Sequence, residues 1–173
     1  MKLNDTVMFA CNQGGHFAQM MALNELFGNY HSVLVTDNVR ATKDMQSLKN
    51  IEHIEYALAI AEKRQELSHS SKKKGNSRIY AITAYLKLFW ECQKIWNKYR
   101  PAAIISTGSN IAVPLFLIGW LKGSKLIFIE TRAKVYSKSM TGRIIGGLAD
   151  VVFVQWPEMK KLYPNALYCG TLV

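Results

Sequence analysis

The stretch Thr6–Gly28, TVMFACNQGGHFAQMMALNELFG, constrains the fold more than any other part of this chain. Val7–Cys11 is a short apolar run and Asn12–His16 a polar turn with two glycines. Phe17–Phe27 then has helical periodicity, with Phe17, Met20, Met21, Leu23 and Phe27 on one side. A buried strand that runs through glycines into a helix aims unpaired N–H groups and the positive helix end at one point. That point suits an anion such as a phosphate. Gly14 and Gly15 allow the backbone to come close to it, and His16 adds a titratable side chain at the helix entrance. Such a junction also serves as a plain tight turn, with the histidine as a cap or packing residue, so the rest of the chain has to decide.

The remainder repeats the alternation. His31–Thr36 reads as a second strand ending at Asp37-Asn38, Asn38–Lys49 as a polar helix or loop, and Ile51–Tyr56 as a third strand nearer an edge. Glu62–Asn76 is hydrophilic and basic, the composition of a mobile loop. Arg78–Tyr99 reads as a long helix closed by Pro101. Lys87, Glu91, Lys94 and Lys98 form one stripe of it. Ile79, Ile82, Tyr85, Leu86, Phe89, Trp90, Ile95, Trp96 and Tyr99 cover much of the rest. Strands follow at Ala103–Thr107, Lys125–Glu130, Val151–Gln155 and Ala166–Cys169, with helices at Ser109–Lys122, Ser139–Ala149 and Pro157–Leu162.

This pattern predicts an α/β fold: a Rossmann-like, doubly wound parallel sheet of about seven strands with helices on both faces. The 173 residues are expected to form one domain. Ligands of such sheets bind beyond the carboxyl ends of the strands, where strand order reverses. In the usual order the loops after the first and fourth strands flank that crevice, so Gly14-Gly15-His16 should face Gly108-Ser109-Asn110.

Twenty-two Lys and Arg against twelve Asp and Glu give a net charge of +10. An excess of that size points to an anionic partner: a phosphorylated substrate, an acidic lipid surface or nucleic acid. No basic motif interleaved with aromatics supports nucleic acid. Cys11, Cys92 and Cys169 lack C-x-x-C spacing and read as buried or free thiols. No secretory pattern is present, and no stretch approaches the roughly 20 apolar residues of a spanning helix. The longest apolar run, Ile111–Leu121, contains Pro114 and reads as a core helix. A nicotinamide-dinucleotide site is an alternative, with Asp37 in the place of a ribose-binding acid. The turn Cys11–His16 lacks the G-x-G-x-x-G spacing, however, which leaves Asp37 to act as a loop residue or turn cap.

QGGH after the first strand, STGS after a later one, and IFIETRAKVYSKSMTGRIIGGLADVVFVQWPEMKKLYP together resemble a specific family. These are the oligosaccharide and capsular polysaccharide biosynthesis proteins of the asparagine-linked-glycosylation type. The likeness covers nearly the whole chain and is densest from Ile129 to Pro164. The chain is also similar, more distantly, to the acceptor-binding half of the peptidoglycan lipid-linked N-acetylglucosaminyltransferase.

The resemblance implies the amino-terminal half of a split GT-B glycosyltransferase, inactive without a separate carboxy-terminal, donor-binding subunit. Its complex would transfer a sugar from a UDP-sugar, with inversion, to a polyprenyl-pyrophosphate-linked acceptor. This chain would hold that acceptor through Asn12, Gln13, Gly14, Gly15, Gly108, Ser109, Asn110 and Arg132. His16 is the first candidate base, because an unperturbed histidine titrates near neutral pH. Glu130 is the second, or an orienter, with a salt bridge to Arg132 or Lys134 as its plain structural reading. Arg132, Lys134 and Arg143 would balance phosphate charge or act as solvated surface. No permanent cofactor is implied, and no D-x-D cluster suggests a metal.

Eukaryotic relatives carry an amino-terminal membrane helix, whereas this chain begins almost directly at its first strand. Peripheral attachment at the cytoplasmic face is therefore expected from Tyr85, Phe89 and Trp90, with Lys72, Lys73 and Lys74 just upstream. The alternative is a wide buried helix with one solvated stripe. Trp156, Tyr163, Leu172 and Val173 are expected at the partner surface. The function class left open beside the transferase subunit is a non-catalytic membrane adaptor that activates a partner.

Overall fold

The computed structural model describes residues 5–37, 48, 50–57 and 77–172, the first four residues of the 77–172 stretch by backbone only. Seven strands form one parallel sheet: β1 (Thr6–Ala10), β2 (His31–Asp37), β3 (His53–Ala57), β4 (Ala103–Ser106), β5 (Lys125–Ile129), β6 (Val151–Val154) and β7 (Ala166–Tyr168). Their order is β3-β2-β1-β4-β5-β6-β7, so the chain reverses direction across the sheet between β1 and β4. Val7 registers with Ala103 at that junction. The expected Rossmann-like α/β class and strand number are both found, with β3 at an edge.

The pleat sends alternate residues to opposite faces. Met8, Ala10, Val33, Val35, Ile104, Leu126, Phe128 and Val152 face one core. It is covered by α3 (Ser77–Tyr99), α4 (Ala112–Lys122) and α5 (Met140–Ile145). Val7, Phe9, Leu34, Ile105 and Ile129 face the other core, under α1 (Gly15–Met21) and α2 (Asn24–Phe27).

The helix expected over Phe17–Phe27 is two short ones. Leu23 and Leu26 donate to the carbonyls of Met20 and Leu23, tight i→i−3 bonds that break the helix. The break turns Phe27 edge-on to Phe9, centroids 4.6 Å apart. The helix expected from Ser109 starts at Ala112, because Gly108 and Ser109 both take positive φ (103° and 122°).

The long helix divides its apolar residues in two. Leu88, Cys92, Ile95 and Trp96 are buried, and the Trp96 indole donates to Ser124 Oγ at 3.1 Å. Ile82, Tyr85, Leu86, Phe89 and Trp90 are exposed, Trp90 at 64%. A wide buried helix is thus excluded for the described part of α3. At its end, Lys98 Nζ (2.7 Å) and Tyr99 OH (2.6 Å) both donate to Glu55, fastening edge strand β3 to α3. Cys11 and Cys92 are buried, and burial pushes the Cys92 thiol up to about 12, while Cys169 is exposed. Among the described residues no helix is long and apolar enough to cross a membrane.

Asp150 clips the start of β5. The Leu126 N–H (2.8 Å), and then Lys125 (3.3 Å), hold its carboxyl below the usual range. A depressed folded-state pKa stabilises the fold above the unfolded carboxylate value, and that contribution is lost as pH falls through the folded value. Asp150→Asn should therefore lower Tm at neutral pH and shrink the Tm loss on acidification below about pH 4. High salt should remove only the Lys125 share. Melting curves between neutral pH and acid, with and without salt, check this; equal acid losses in both proteins would contradict it.

Candidate functional site

The switch point between β1 and β4 brings the two glycine loops together. His16 Nδ1 lies 2.8 Å from the Thr107 carbonyl, and Thr107 Oγ1 donates to the His16 carbonyl at 2.8 Å. A carbonyl only accepts, so Nδ1 carries the hydrogen and the neutral ring keeps Nε2 as its acceptor. Among the described residues Nε2 has no hydrogen-bond partner. Gly108 backs the ring: a Cβ there would stand 3.0 Å from Cε1 and 3.2 Å from Nδ1. Ser106 Oγ braces the same turn, donating to the Ala10 carbonyl (2.6 Å) and accepting from Gly108 N–H (3.1 Å).

The other expected phosphate groups divide. Gly14 (φ 93°) and Gly15 are exposed at the mouth of the first loop, with open space where a Cβ would be. The first turn is held by Asp37: Asn12 Nδ2 (2.7 Å) and the Gln13 backbone N–H (2.8 Å) both donate to its carboxylate. Asp37 is buried in that role, which matches the turn-cap reading and takes from the dinucleotide alternative its ribose acid. Asn12 Oδ1 and Ser109 Oγ are buried and have no hydrogen-bond partner among the described residues, Ser109 being 7% exposed. Asn110 is exposed and accepts from Tyr85 OH at 3.5 Å.

Glu130 is 1% exposed and holds its own loop. Its carboxylate accepts from the N–H groups of Thr131 (2.8 Å) and Ser139 (3.1 Å) and from the hydroxyl of Tyr163. These contacts occupy the carboxylate with the N–H groups of its own loop and the Tyr163 hydroxyl. Burial first, then the Glu130 bond, raise the Tyr163 hydroxyl above its ordinary range. Tyr163 is 3% exposed, which corrects its expected place at the partner surface: its ring packs on Phe128 and its hydroxyl faces Glu130. The loop so anchored carries Arg132 and Lys134, both exposed, and the Arg132 carbonyl accepts from the half-buried Trp156 indole at 2.8 Å. Arg143 is exposed on α5, whose N-cap Ser139 accepts from Gly142 N–H at 2.9 Å.

Tyr85, Phe89 and Trp90 lie on the exposed side of α3, where an apolar groove of about 410 Å³ runs against Val113, Pro114 and Leu117 of α4. Leu172 is half-buried over the second core. Lys72, Lys73, Lys74 and Val173, and the basic loop 62–76, lie outside the described residues.

Gln19 and Gln155 were missed from the sequence as site-supporting residues. Their signal was a polar amide inside an apolar helix pattern and another closing a buried strand. No group of three or more His, Cys, Asp or Glu suited to a metal occurs among the described residues.

This arrangement has relatives. Residues 7–172 match the family described as "Oligosaccharide biosynthesis protein Alg14 like". The chain belongs to that family. Two Alg14 relatives are named "UDP-N-acetylglucosamine transferase subunit ALG14". The Rattus norvegicus protein is 26% identical, the alignment covering 96% of this chain and 82% of the rat protein. The Schizosaccharomyces pombe protein is 28% identical over 91% of this chain and 78% of its own length.

Among solved structures, Acinetobacter baumannii MurG superposes with a TM-score of 0.72 at 17% identity, covering 98% of this chain. The Rickettsia bellii UDP-N-acetylglucosamine 2-epimerase does so at 0.65 and 10%, covering 96%. This Alg14-like chain spans 46% and 45% of those two chains, respectively. The likeness establishes its fold as one Rossmann-like half of a GT-B-type structure.

Proposed function

We propose that this Alg14-like chain is the acceptor-binding subunit of a two-component inverting glycosyltransferase; its relatives are named as subunits of a UDP-N-acetylglucosamine transferase, which supports the transferase-subunit part of that reading. The substrates are a UDP-sugar, UDP-N-acetylglucosamine by analogy with those names, and a polyprenyl-pyrophosphate-linked sugar. The observation that carries the reading is His16, fixed through Nδ1 on Thr107 and backed by Gly108. It presents Nε2 as a base beside a glycine loop suited to an anion.

In the reaction, His16 Nε2 takes the proton of the attacking acceptor hydroxyl as its oxygen bonds to the anomeric carbon. The bond from that carbon to the UDP oxygen breaks on the opposite face, and UDP leaves with the electron pair. Gly14, Gly15 and the Gly108–Asn110 turn hold the acceptor pyrophosphate, and Arg132 neutralises part of its charge. Glu130 positions the Arg132 loop. The donor pocket lies in the partner subunit, which docks near Trp156 and the segment Cys169–Leu172.

An NMR titration tests the acceptor half of this reading. A soluble short-chain polyprenyl-pyrophosphate sugar should shift the His16 ring resonances, and UDP-N-acetylglucosamine alone should leave them in place. The reverse pattern would move the donor site into this chain.

Membrane docking is assigned to the α3 face bearing Ile82, Tyr85, Leu86, Phe89 and Trp90, since exposed aromatic and aliphatic side chains together enter a lipid interface. Replacing Phe89 and Trp90 together by serine should lower partitioning onto anionic vesicles by about tenfold or more. Vesicle flotation measures this; unchanged flotation would assign that face to a protein partner.

A further inference from the structure

Gln155 stands at the end of β6, 3% exposed, and takes no part in the chemistry above. Its carboxamide is engaged at both ends. Nε2 donates to Gln19 Oε1 at 2.6 Å and to the Glu130 carbonyl at 2.9 Å, while Oε1 accepts from the Leu172 N–H at 3.0 Å. The orientation follows from the partners, because an N–H only donates and a carbonyl only accepts. Gln19 lies on α1 one turn beyond His16, and its Nε2 is 3.4 Å from the Gly15 carbonyl and 3.5 Å from Thr131 Oγ1.

One buried amide thus ties together three segments distant in sequence: the helix that carries His16, the loop that starts at Glu130, and the segment Cys169–Leu172 that follows β7. The third of these is the most open. Cys169, Gly170 and Thr171 are exposed, and a largely apolar groove of about 300 Å³ runs between this tail and the sheet, lined by Leu26, Ile127 and Phe153 among others.

We propose that Gln155 is a positioning residue that couples the tail Cys169–Leu172 to the two acceptor loops, so that a partner docked on the tail sets the placement of His16. The proposal rests on the acceptor-site reading of the crevice and on the tail as a partner-facing segment. The chemistry is specific to an amide. Glutamate at 155 keeps an acceptor for the Leu172 N–H but has no donor for Gln19 Oε1 or the Glu130 carbonyl. Leucine fills the space and leaves all three groups without their partner. Proline at 172 removes the N–H that reaches Gln155 and leaves every crevice residue in place.

Backbone hydrogen exchange of the full chain, alone and with its partner subunit, tests the coupling. In Leu172→Pro and Gln155→Leu, amides of residues 15–19 and 131–139 should exchange about tenfold faster, since each variant opens a buried link. In Gln155→Glu the tail should stay protected while residues 15–19 exchange faster, a split that general destabilisation does not produce. Partner binding should slow exchange at residues 15–19 in the wild type and fail to do so in Gln155→Leu.

Changes confined to residues 155 and 169–172, or wild-type exchange at residues 15–19 in Gln155→Glu, would overturn the coupling. In transfer assays Gln155→Glu should lower kcat by about tenfold or more, as a misplaced base does, with KM for UDP-N-acetylglucosamine unchanged. Wild-type kcat would overturn the positioning role. If the wild-type complex transfers no sugar, the functional reading fails, and the exchange data still decide whether the tail and loops are coupled.

Discussion

His16→Ala should lower sugar transfer by the assembled complex by about 10²- to 10⁴-fold, the usual worth of a positioned general base, and leave the complex intact. The ring is half-exposed and not part of either apolar core, so its loss removes little packing. It does remove the bond to the Thr107 carbonyl. His16→Asn separates the two effects, because an asparagine amide can still donate to that carbonyl and offers no basic nitrogen. If the base is what matters, both variants should be equally inactive, and added imidazole should restore part of the alanine variant's rate. An active asparagine variant would reduce His16 to a clasp between the loops.

The second large effect is on stability. Gly142→Ala should unfold the protein about 10 °C earlier, from a loss of about 3 kcal/mol. A methyl group at 142 runs into the Tyr163 hydroxyl, the Glu130 carboxylate and the Phe128 ring at 3.1 Å. Both partners are buried, Glu130 at 1% and Tyr163 at 3% exposure, so any shift has to be taken up inside the packed interior. The methyl separates Glu130 from its phenol donor, and a buried carboxylate short of donors is costly. Tyr163→Phe removes only the hydroxyl and keeps the edge-on packing against Phe128, so its loss should be smaller, about 1.5 kcal/mol. Thermal melts of both variants check the ranking. A Gly142→Ala protein as stable as the wild type would show that the Glu130–Tyr163 pair has slack.

The sheet was legible because the central strands are short apolar runs rich in β-branched residues, with β3 betraying an edge by its polar residues, and turn chemistry punctuates the chain. Strand order followed from the usual doubly wound connections, and with it the meeting of Gly14–His16 with Gly108–Asn110. Helix boundaries were less legible. Periodicity in Phe17–Phe27 does not reveal that Leu23 tightens into a 3₁₀-like turn, nor that Ser109 takes positive φ before α4 can start.

Side-chain partners across the sheet were not legible at all. Tyr163 looked like a surface aromatic, but it folds back onto a carboxylate 33 residues away. Asn12 and Gln13 looked like ligand groups, but the Asn12 amide and the Gln13 backbone N–H go to Asp37. The Gln19–Gln155 bond spans 136 residues of sequence, and no local pattern encodes such a pairing.

The most direct measurement is transfer of radiolabelled N-acetylglucosamine from its UDP conjugate to lipid-linked acceptor in membrane extracts. This chain alone, the partner alone, both together, and both with His16→Ala are compared. Transfer only by the wild-type pair, lost in the variant whose complex survives pull-down, is the expected result. Transfer by the partner alone, raised by this chain but indifferent to His16, would contradict it and make the chain a membrane adaptor.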